Sequence, residues 1–222
     1  MRFEVLVEDQ SGGIALDSIL KKILGPRGLP HSYRIHPYRG IGDIPPNLKP
    51  KQDPQKRILL DQLPRLLGGY GNSLKHSLAA VVVVVDLDRR DCKKFKEEMV
   101  CVLNSCHPKP TTLFRIAIEE CEAWLLGDPK AVKTAYPRAD DRALKGYVQD
   151  SICDTWEKLA DAIYPGGSKR LKGLGYPLIG KAKCQWAEKI TPFIDADRNG
   201  SKSFQVFRDG IRVLTGMAVP CD

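Results

Sequence analysis

The chain has 222 residues, of which 42% are hydrophobic and 28% are charged, proportions that are typical of a globular protein and not of a disordered or fibrous one. The longest apolar run, Leu78–Val85, is far shorter than the roughly 20 residues of a membrane-spanning helix. Glu4, Glu8 and Asp9 place charges within the N-terminal segment, where a signal peptide has an apolar stretch. We therefore expect no membrane association and a cytoplasmic location. The formal net charge of +8 is compatible with a polyanionic partner such as nucleic acid.

The first 38 residues predict a strand, a helix and a second strand. Phe3–Glu8 has the composition of a strand, and a turn containing Gly12 and Gly13 follows it. Apolar residues at helical spacing predict a helix over Ile14–Leu24, and a second strand is predicted over Ser32–Tyr38. A strand, tight turn, helix and strand in this order are typical of a parallel sheet.

Residues 39–116 continue this alternation. Residues 39–54 show no periodicity and predict a long loop near one sheet edge. A helix is predicted over Gln55–Leu67, with Gly68 and Gly69 ending it. The continuous apolar run Ala79–Val85 indicates a strand buried on both faces. A helix over Asp91–Ser105, with Asp91 as its N-cap, and a short strand over Thr111–Ile116 complete this part.

Beyond Ile118 the pattern is mostly helical. Six helices are predicted: Glu119–Leu126, Pro129–Tyr136, Asp140–Tyr147, Thr155–Ile163, Ile179–Ile190 and Phe204–Leu214. The predicted fold class is therefore α/β, with a mostly parallel sheet flanked by helices and a helical C-terminal half. We divide it into an α/β core, residues 1–127, and a helical region packed on that core, residues 128–222.

Acidic side chains follow three of the predicted strands. Glu8 ends the first strand, Asp86 and Asp88 end the valine-rich strand, and Glu119, Glu120 and Glu122 open a helix directly after a strand. Because ligand sites of parallel sheets lie at the carboxyl ends of strands, these carboxylates are expected to converge. Close carboxylates repel each other unless a cation lies between them, and Mg²⁺ binds one or two carboxylates while keeping positions for water and phosphate.

Each acidic group also has a purely structural interpretation. Glu8 is then the polar end of a strand, and Asp86 and Asp88 are loop acids paired with neighbouring arginines. The glutamates at 119 and 122 are then placed favourably for the helix dipole, although they repel on one helix face unless something positive lies between them. Trp124 fits a core position better than a base-stacking platform.

The spacing of the cysteines and histidines along the chain matches no metal-binding motif. Seven scattered cysteines without a C-x-x-C pair argue against a disulfide framework and a zinc ribbon. We expect free, mostly buried thiols. The seven are Cys92, Cys101, Cys106, Cys121, Cys153, Cys184 and Cys221.

Three stretches together resemble a known catalytic domain. Val7-Glu8-Asp9, the Asp86-Leu87-Asp88 end of the valine strand and the segment from Ile118 to Leu126 resemble the Toprim domain of topoisomerases, primases and OLD-type nucleases. Across nearly its whole length the chain looks more specifically like the bacterial DUF4276 family, a Toprim-related group.

The resemblance implies a Mg²⁺ or Mn²⁺ site. Glu8 would match the Toprim glutamate as general acid/base or metal ligand, and Asp86 and Asp88 would match the D-x-D metal ligands. Glu119 and Glu122 would complete a second metal position. Asp9, which follows where the family often has glycine or threonine, is an alternative to Glu8. Relatives often occur beside ATPases in mobile-element or antiviral defence systems, which implies an ATPase partner.

The leading hypothesis is a metal-dependent, Toprim-type endonuclease that cuts a phosphodiester in DNA or RNA. Four basic residues are predicted to hold the nucleic-acid backbone: Arg39, Lys49, Lys51 and Arg89. The alternative is a non-catalytic regulatory or nucleic-acid-binding module that partners an ATPase. Nucleotide-sugar transfer also uses D-x-D after a strand, but has no need for Glu8. A haloacid-type phosphatase would need D-x-D on the first strand.

Overall fold

A four-stranded parallel sheet organises the chain. The structure, a computed structural model, describes residues 1–26, 28, 30–49, 53–151 and 154–219. The strands are β1 (Arg2–Val7), β2 (Ser32–Pro37), β3 (Ala79–Asp86) and β4 (Thr112–Ala117). They lie in the order β2-β1-β3-β4, and every neighbouring pair is parallel.

Helices surround this sheet and fill the C-terminal half. The helices of the described residues are α1 (Gln10–Leu24), α2 (Leu59–Leu74), α3 (Cys92–Asn104), α4 (Glu122–Leu126), α5 (Pro129–Ala135), α6 (Asp141–Lys145), α7 (Thr155–Ile163), α8 (Gly167–Gly173), α9 (Tyr176–Ile190) and α10 (Lys202–Thr215), with 3₁₀ turns at Pro54–Lys56 and Thr191–Phe193. None of them combines the length and apolar character needed to cross a bilayer. The predicted α/β class, with its flanking helices and helical C-terminal half, is confirmed.

The central strand β3 is buried along its whole length. Val82 and Val84 pack into the apolar cluster that contains α1, whereas Val81, Val83 and Val85 pack into the cluster that contains α2 and α3. Burying a valine side chain stabilises the fold by about 1.5–3 kcal/mol. The strand needs apolar residues on both faces, which is why its sequence is a continuous valine run and does not alternate.

The connections after β1 and β3 leave the sheet on opposite faces. The chain passes from β1 into α1 on one face, and from β3 into α3 on the other. Since β1 and β3 are neighbours, their carboxyl ends form the topological switch point, the position at which α/β sheets bind ligands.

The C-terminal helices belong to the same core as α1. Trp124 is buried, with its ring centroid 5.7 Å from that of Phe204 and 5.0 Å from that of Phe207 in α10. Its indole N–H donates to Ser203 Oγ at 2.9 Å. Trp124 is therefore a core residue, as predicted, and residues on both sides of the predicted boundary after Gly127 share one apolar cluster.

The first helix begins earlier than the sequence predicted. Gly12 and Gly13 lie in the first turn of α1 and do not form a separate turn before it. Asp9 caps the helix, because Gly12 N donates to Asp9 Oδ1 at 2.7 Å. A Cβ on Gly12 would lie 2.8 Å from Val7 Cγ2, so glycine lets the helix start against the strand.

One further predicted helix end is wrong, and one helix was missed. Helix α2 does not end at Gly68 and Gly69 but continues to Leu74, because its buried leucines hold it against the sheet. Helix α8 was not predicted at all. It is short, with Leu171 as its buried residue, so it carries no apolar periodicity.

The expectation of mostly buried thiols is also wrong. Among the described cysteines, all of which are free, Cys106 is buried, whereas Cys92 and Cys101 are exposed. The latter two lie on the outer face of α3, whose inner face buries Phe95 and Met99. Two other cysteines lie outside the described residues: Cys153 and Cys221.

Substitution by alanine should have opposite effects on stability at two glycines of α2. A Cβ on Gly71 would lie 2.0 Å from the carbonyl oxygen of Pro108, whereas nothing lies within 4 Å of a Cβ on Gly69. We expect Gly71→Ala to lower the free energy of unfolding by about 1–3 kcal/mol through overpacking. The matched control Gly69→Ala should raise it by up to about 1 kcal/mol. Urea denaturation measures the free energy of unfolding of both variants. Equal effects of the two substitutions would contradict the close approach of Gly71 to the Pro108 carbonyl.

Candidate active site

Glu8 and Asp86 meet at the switch point. Glu8 directly follows β1, and Asp86 is the last residue of β3. The backbone N–H of Asp86 donates to Glu8 Oε2 at 3.3 Å. The parallel pairing of β1 with β3 therefore brings two of the sequence-predicted site residues together. This convergence counts against nucleotide-sugar transfer, which has no need for Glu8.

The Asp86 carboxylate is buried, and one of its oxygens has no hydrogen-bond partner among the described residues. The residue is 8% exposed, and its Oδ1 has no hydrogen-bond partner in the described part of the chain. Burial raises the pKa of Asp86 well above its ordinary value, and the charges of Glu8 and Glu122 add to this effect. The Cys121 thiol lies beside the same carboxylate. A buried carboxylate oxygen without a partner is unfavourable, and a cation is one group that would satisfy it.

Glu8 titrates near neutral pH. Burial raises the pKa of Glu8 to about 7, against the opposing hydrogen bond from the Asp86 N–H. The charges of Asp88 and Asp9 raise it further. A carboxyl group with this pKa can both take and give a proton at physiological pH.

Asp9, the sequence-based alternative to Glu8, has a capping role. Its Oδ1 accepts a hydrogen bond from Gly12 N at 2.7 Å, and its Oδ2 accepts one from Ser11 Oγ at 2.8 Å. Both oxygens are thus engaged at the start of α1. Its charge nevertheless contributes to the raised pKa values of Glu8 and Asp86.

A lysine lies among the carboxylates. Lys183 of α9 has a side chain that is only 13% exposed. Its Nζ lies 3.1 Å from Glu122 Oε2 and 3.4 Å from Glu120 Oε1. Burial alone would lower the pKa of Lys183, but the charges of Glu122, Glu120 and Asp86 outweigh it and raise the pKa well above its ordinary value. Lys183 is therefore held as an ammonium.

The two glutamates beside Lys183 remain partly uncompensated. Burial raises the pKa of Glu120 to about 7, with the charge of Glu122 adding to it and Lys183 opposing it. Burial also raises the pKa of Glu122. One ammonium therefore does not balance all of these buried carboxylates, and the cluster retains protons near neutral pH.

The sequence did not identify Lys183 as a site residue. It lies in an ordinary amphipathic helix, 63 residues after Glu120. The one signal was the expected repulsion between the glutamates of the 119–122 segment, which required a positive group between them. The structure supplies that group, but it lies between Glu120 and Glu122 and does not involve Glu119.

Glu119 contacts a different helix. Its carboxylate accepts hydrogen bonds from Asp154 N at 2.9 Å and Thr155 N at 2.8 Å, and a third from the Thr155 hydroxyl. These donors lie at the N-terminus of α7, so Glu119 caps that helix. Glu122, in contrast to Glu119, adds its charge to the raised pKa of Asp86.

Asp88 lies outside the buried carboxylate cluster. Its side chain is 49% exposed and pairs with Arg90 at 3.0 Å, as in the structural interpretation of the sequence. Its backbone N–H donates to the Glu119 carbonyl at 3.0 Å. Asp88 and Glu119 have φ angles of 51° and 61°, which are uncommon for non-glycine residues. The loops after β3 and β4 are thus joined in a defined conformation.

A cleft of about 530 Å³ opens beside these loops. Glu120 contributes to its wall and also contacts Lys183, so the cleft adjoins the carboxylate cluster. The other residues relevant to its chemistry are Asp88, Arg89, Arg90, Glu119 and Trp156.

One of the predicted substrate-binding residues lines this cleft. Arg89 does so, whereas Arg39 and Lys49 are exposed on the loop between β2 and α2 and are not among the described lining residues. Lys51 lies outside the described residues. Arg90, which was not predicted to bind substrate, donates to the Gly42 carbonyl at 3.2 Å and so ties that loop to the cleft.

The donor set fits a hard cation that keeps part of its water shell. Within the described residues, no three side chains of the metal-binding types converge closely enough to hold an ion by themselves. Mg²⁺ requires only one or two carboxylates and takes its remaining ligands from water and substrate. Glu8 and Asp86, with the unpartnered Asp86 Oδ1, meet that requirement.

No family model, curated protein or solved structure matches the chain.

The raised pKa of Glu8 predicts a pH-dependent stability. Glu8 has an ordinary pKa of 4.5 and a folded-state pKa of about 7, so its contribution is fully present below about pH 4.5 and is lost as the pH rises through about 7. Glu8→Gln should therefore match the wild type near pH 4.5 and exceed its free energy of unfolding by about 3 kcal/mol at pH 8. Denaturant titrations in the presence of a chelator measure this, and a gain that does not change with pH would contradict it.

The capping role of Glu119 is testable without metal. Glu119→Ala removes the acceptor for three donors at the start of α7 and should lower the free energy of unfolding by about 1–2 kcal/mol. The control Asp88→Asn alters an exposed ion pair and should change it by less than about 1 kcal/mol. Thermal unfolding with chelator distinguishes them, and an unchanged Glu119→Ala protein would refute the cap.

Proposed function

We propose that this protein is a Mg²⁺- or Mn²⁺-dependent endonuclease that hydrolyses a phosphodiester in DNA or RNA. The observation that carries the proposal is the buried Asp86 carboxylate, which has an unpartnered Oδ1 and lies next to Glu8 at the switch point. The Toprim resemblance assigns metal-dependent phosphoryl chemistry to residues in these positions.

Asp86 and Glu8 would hold the cation in this proposal. When bound, a cation of this kind polarises the phosphodiester and lowers the pKa of a bound water. Glu8, with a pKa of about 7, would take or give a proton at the reacting oxygens. Asp88, which lies outside the buried cluster, would contribute through water or substrate.

The basic character of the chain supports a nucleic-acid substrate. The formal net charge is +8, although the cluster itself is acidic, so the positive charge lies elsewhere on the protein. Arg89 would contact the substrate backbone in the cleft. Arg39 and Lys49 would extend this contact along the loop after β2, which Arg90 ties to the cleft. Lys51 stays a substrate-binding prediction from the sequence.

The biological context follows from the resemblance alone. An ATPase partner and a role in antiviral or mobile-element defence are part of the proposal.

A second candidate is a non-catalytic module that binds nucleic acid or an ATPase. Its support is that several acids have structural partners without any metal. Glu119 caps α7, and Glu120 and Glu122 pair with Lys183. Co-purification with an ATPase, without metal-dependent loss of any nucleic acid, would favour this candidate.

Cleavage assays with Mg²⁺ or Mn²⁺ test the enzymatic proposal. Panels of single- and double-stranded DNA and RNA should be cut by the wild type and protected by a chelator. Asp86→Asn and Glu8→Gln should each lower the rate at least about 100-fold, because each removes a group proposed to act on the reacting centre.

The matched control is Glu98→Gln, an exposed acid on α3, which should cleave at the wild-type rate. Equal rates for the wild type and Asp86→Asn would refute the nuclease assignment.

A further inference from the structure

The acidic cluster has two parts, which differ in whether a positively charged side chain lies next to the carboxylates. Glu120 and Glu122 share the Lys183 ammonium, with contacts of 3.4 and 3.1 Å. Glu122 Oε2 lacks a hydrogen bond but has the Lys183 ammonium as its ion-pair partner, whereas Asp86 Oδ1 has neither. Among the described ion pairs, Glu8 and Asp86 have no contact with an ammonium or guanidinium group. The demand for an additional cation is therefore greatest at Glu8 and Asp86.

The position between Glu120 and Glu122 is already filled. The side chain of Glu122 is 3% exposed and that of Lys183 is 13% exposed, so the contact is shielded from solvent. A divalent cation placed on these two carboxylates would repel the ammonium at short range, and in a poorly solvated site this repulsion is strong. The ion would have to displace Lys183 from among buried acids.

Glu119 is also engaged. Its carboxylate accepts hydrogen bonds from the first residues of α7, and binding a metal would leave those donors without their acceptor. The glutamate segment that was predicted to provide a second metal position thus has protein partners for each of its carboxylates.

We propose that Lys183 takes the place of a second metal ion, so that this protein binds one divalent cation, at Glu8 and Asp86. The inference rests on the metal site of the proposed function and adds its stoichiometry. The Lys183 ammonium supplies a fixed positive charge beside that site, and it does so only when α9 is packed against α4. Lys183 is therefore a positioning residue for Glu120 and Glu122 and a determinant of how many ions bind.

Counting bound Mn²⁺ on the full chain tests the inference independently of cleavage. Equilibrium dialysis and electron paramagnetic resonance should give one tightly bound Mn²⁺ per wild-type chain, competed by Mg²⁺. Lys183→Met should bind two, because the vacated glutamates accept the second ion. Lys183→Arg should keep one. The double variant Lys183→Met, Glu122→Gln should return to one, since the second position then lacks a carboxylate.

The outcomes separate this inference from the proposed function. Two ions on the wild type would overturn the inference and leave the metal site standing, whereas no bound ion would overturn both. One ion on both the wild type and a folded Lys183→Met protein would refute the role of Lys183. If Lys183→Met does not fold, Lys183→Gln, which keeps a polar group near the glutamates, is the variant expected to bind two.

Discussion

One buried ammonium group makes the arrangement at the carboxyl end of the sheet possible. Burying a charge costs several kcal/mol unless it is paired, and Lys183 provides the pairing for Glu120 and Glu122. Glu120 also accepts a hydrogen bond from Trp156 N, in α7, at 3.1 Å. These polar contacts thus join α7 and α9 to the segment at the start of α4, and Glu120 and Trp156, which make one of them, both line the cleft.

The parts of the fold that local chemistry determines could be predicted from the sequence. The valine run gave β3 and its burial on both faces, and Asp91 was correctly identified as the cap of α3, where Lys94 N donates to it at 2.7 Å. Glycine was a poorer predictor of where a helix ends. Helix α2 continues through Gly68 and Gly69, because a glycine costs a helix only about 1 kcal/mol and the buried leucines on either side outweigh that cost.

The candidate site was likewise predictable only where the local sequence determines it. Glu8 and Asp86 were predictable neighbours, because parallel strands end at one edge and a strand end is a local signal. The partners of Glu119 and Glu122 were not predictable, because they lie on α7 and α9 and nothing in the spacing of those helices marks Thr155 or Lys183. Tertiary packing decides which carboxylate caps a helix and which pairs with a lysine.

The separation of Lys183 from its partners along the chain has a consequence for biosynthesis. All four strands are complete at Ala117, and Lys183 follows Glu120 by 63 residues. When the sheet has left the ribosome, the glutamates therefore have no internal cation and must stay hydrated or protonated. The nascent N-terminal half reaches its final charge arrangement only when α9 has been synthesised and docked, so the last third of the chain governs when the site is assembled.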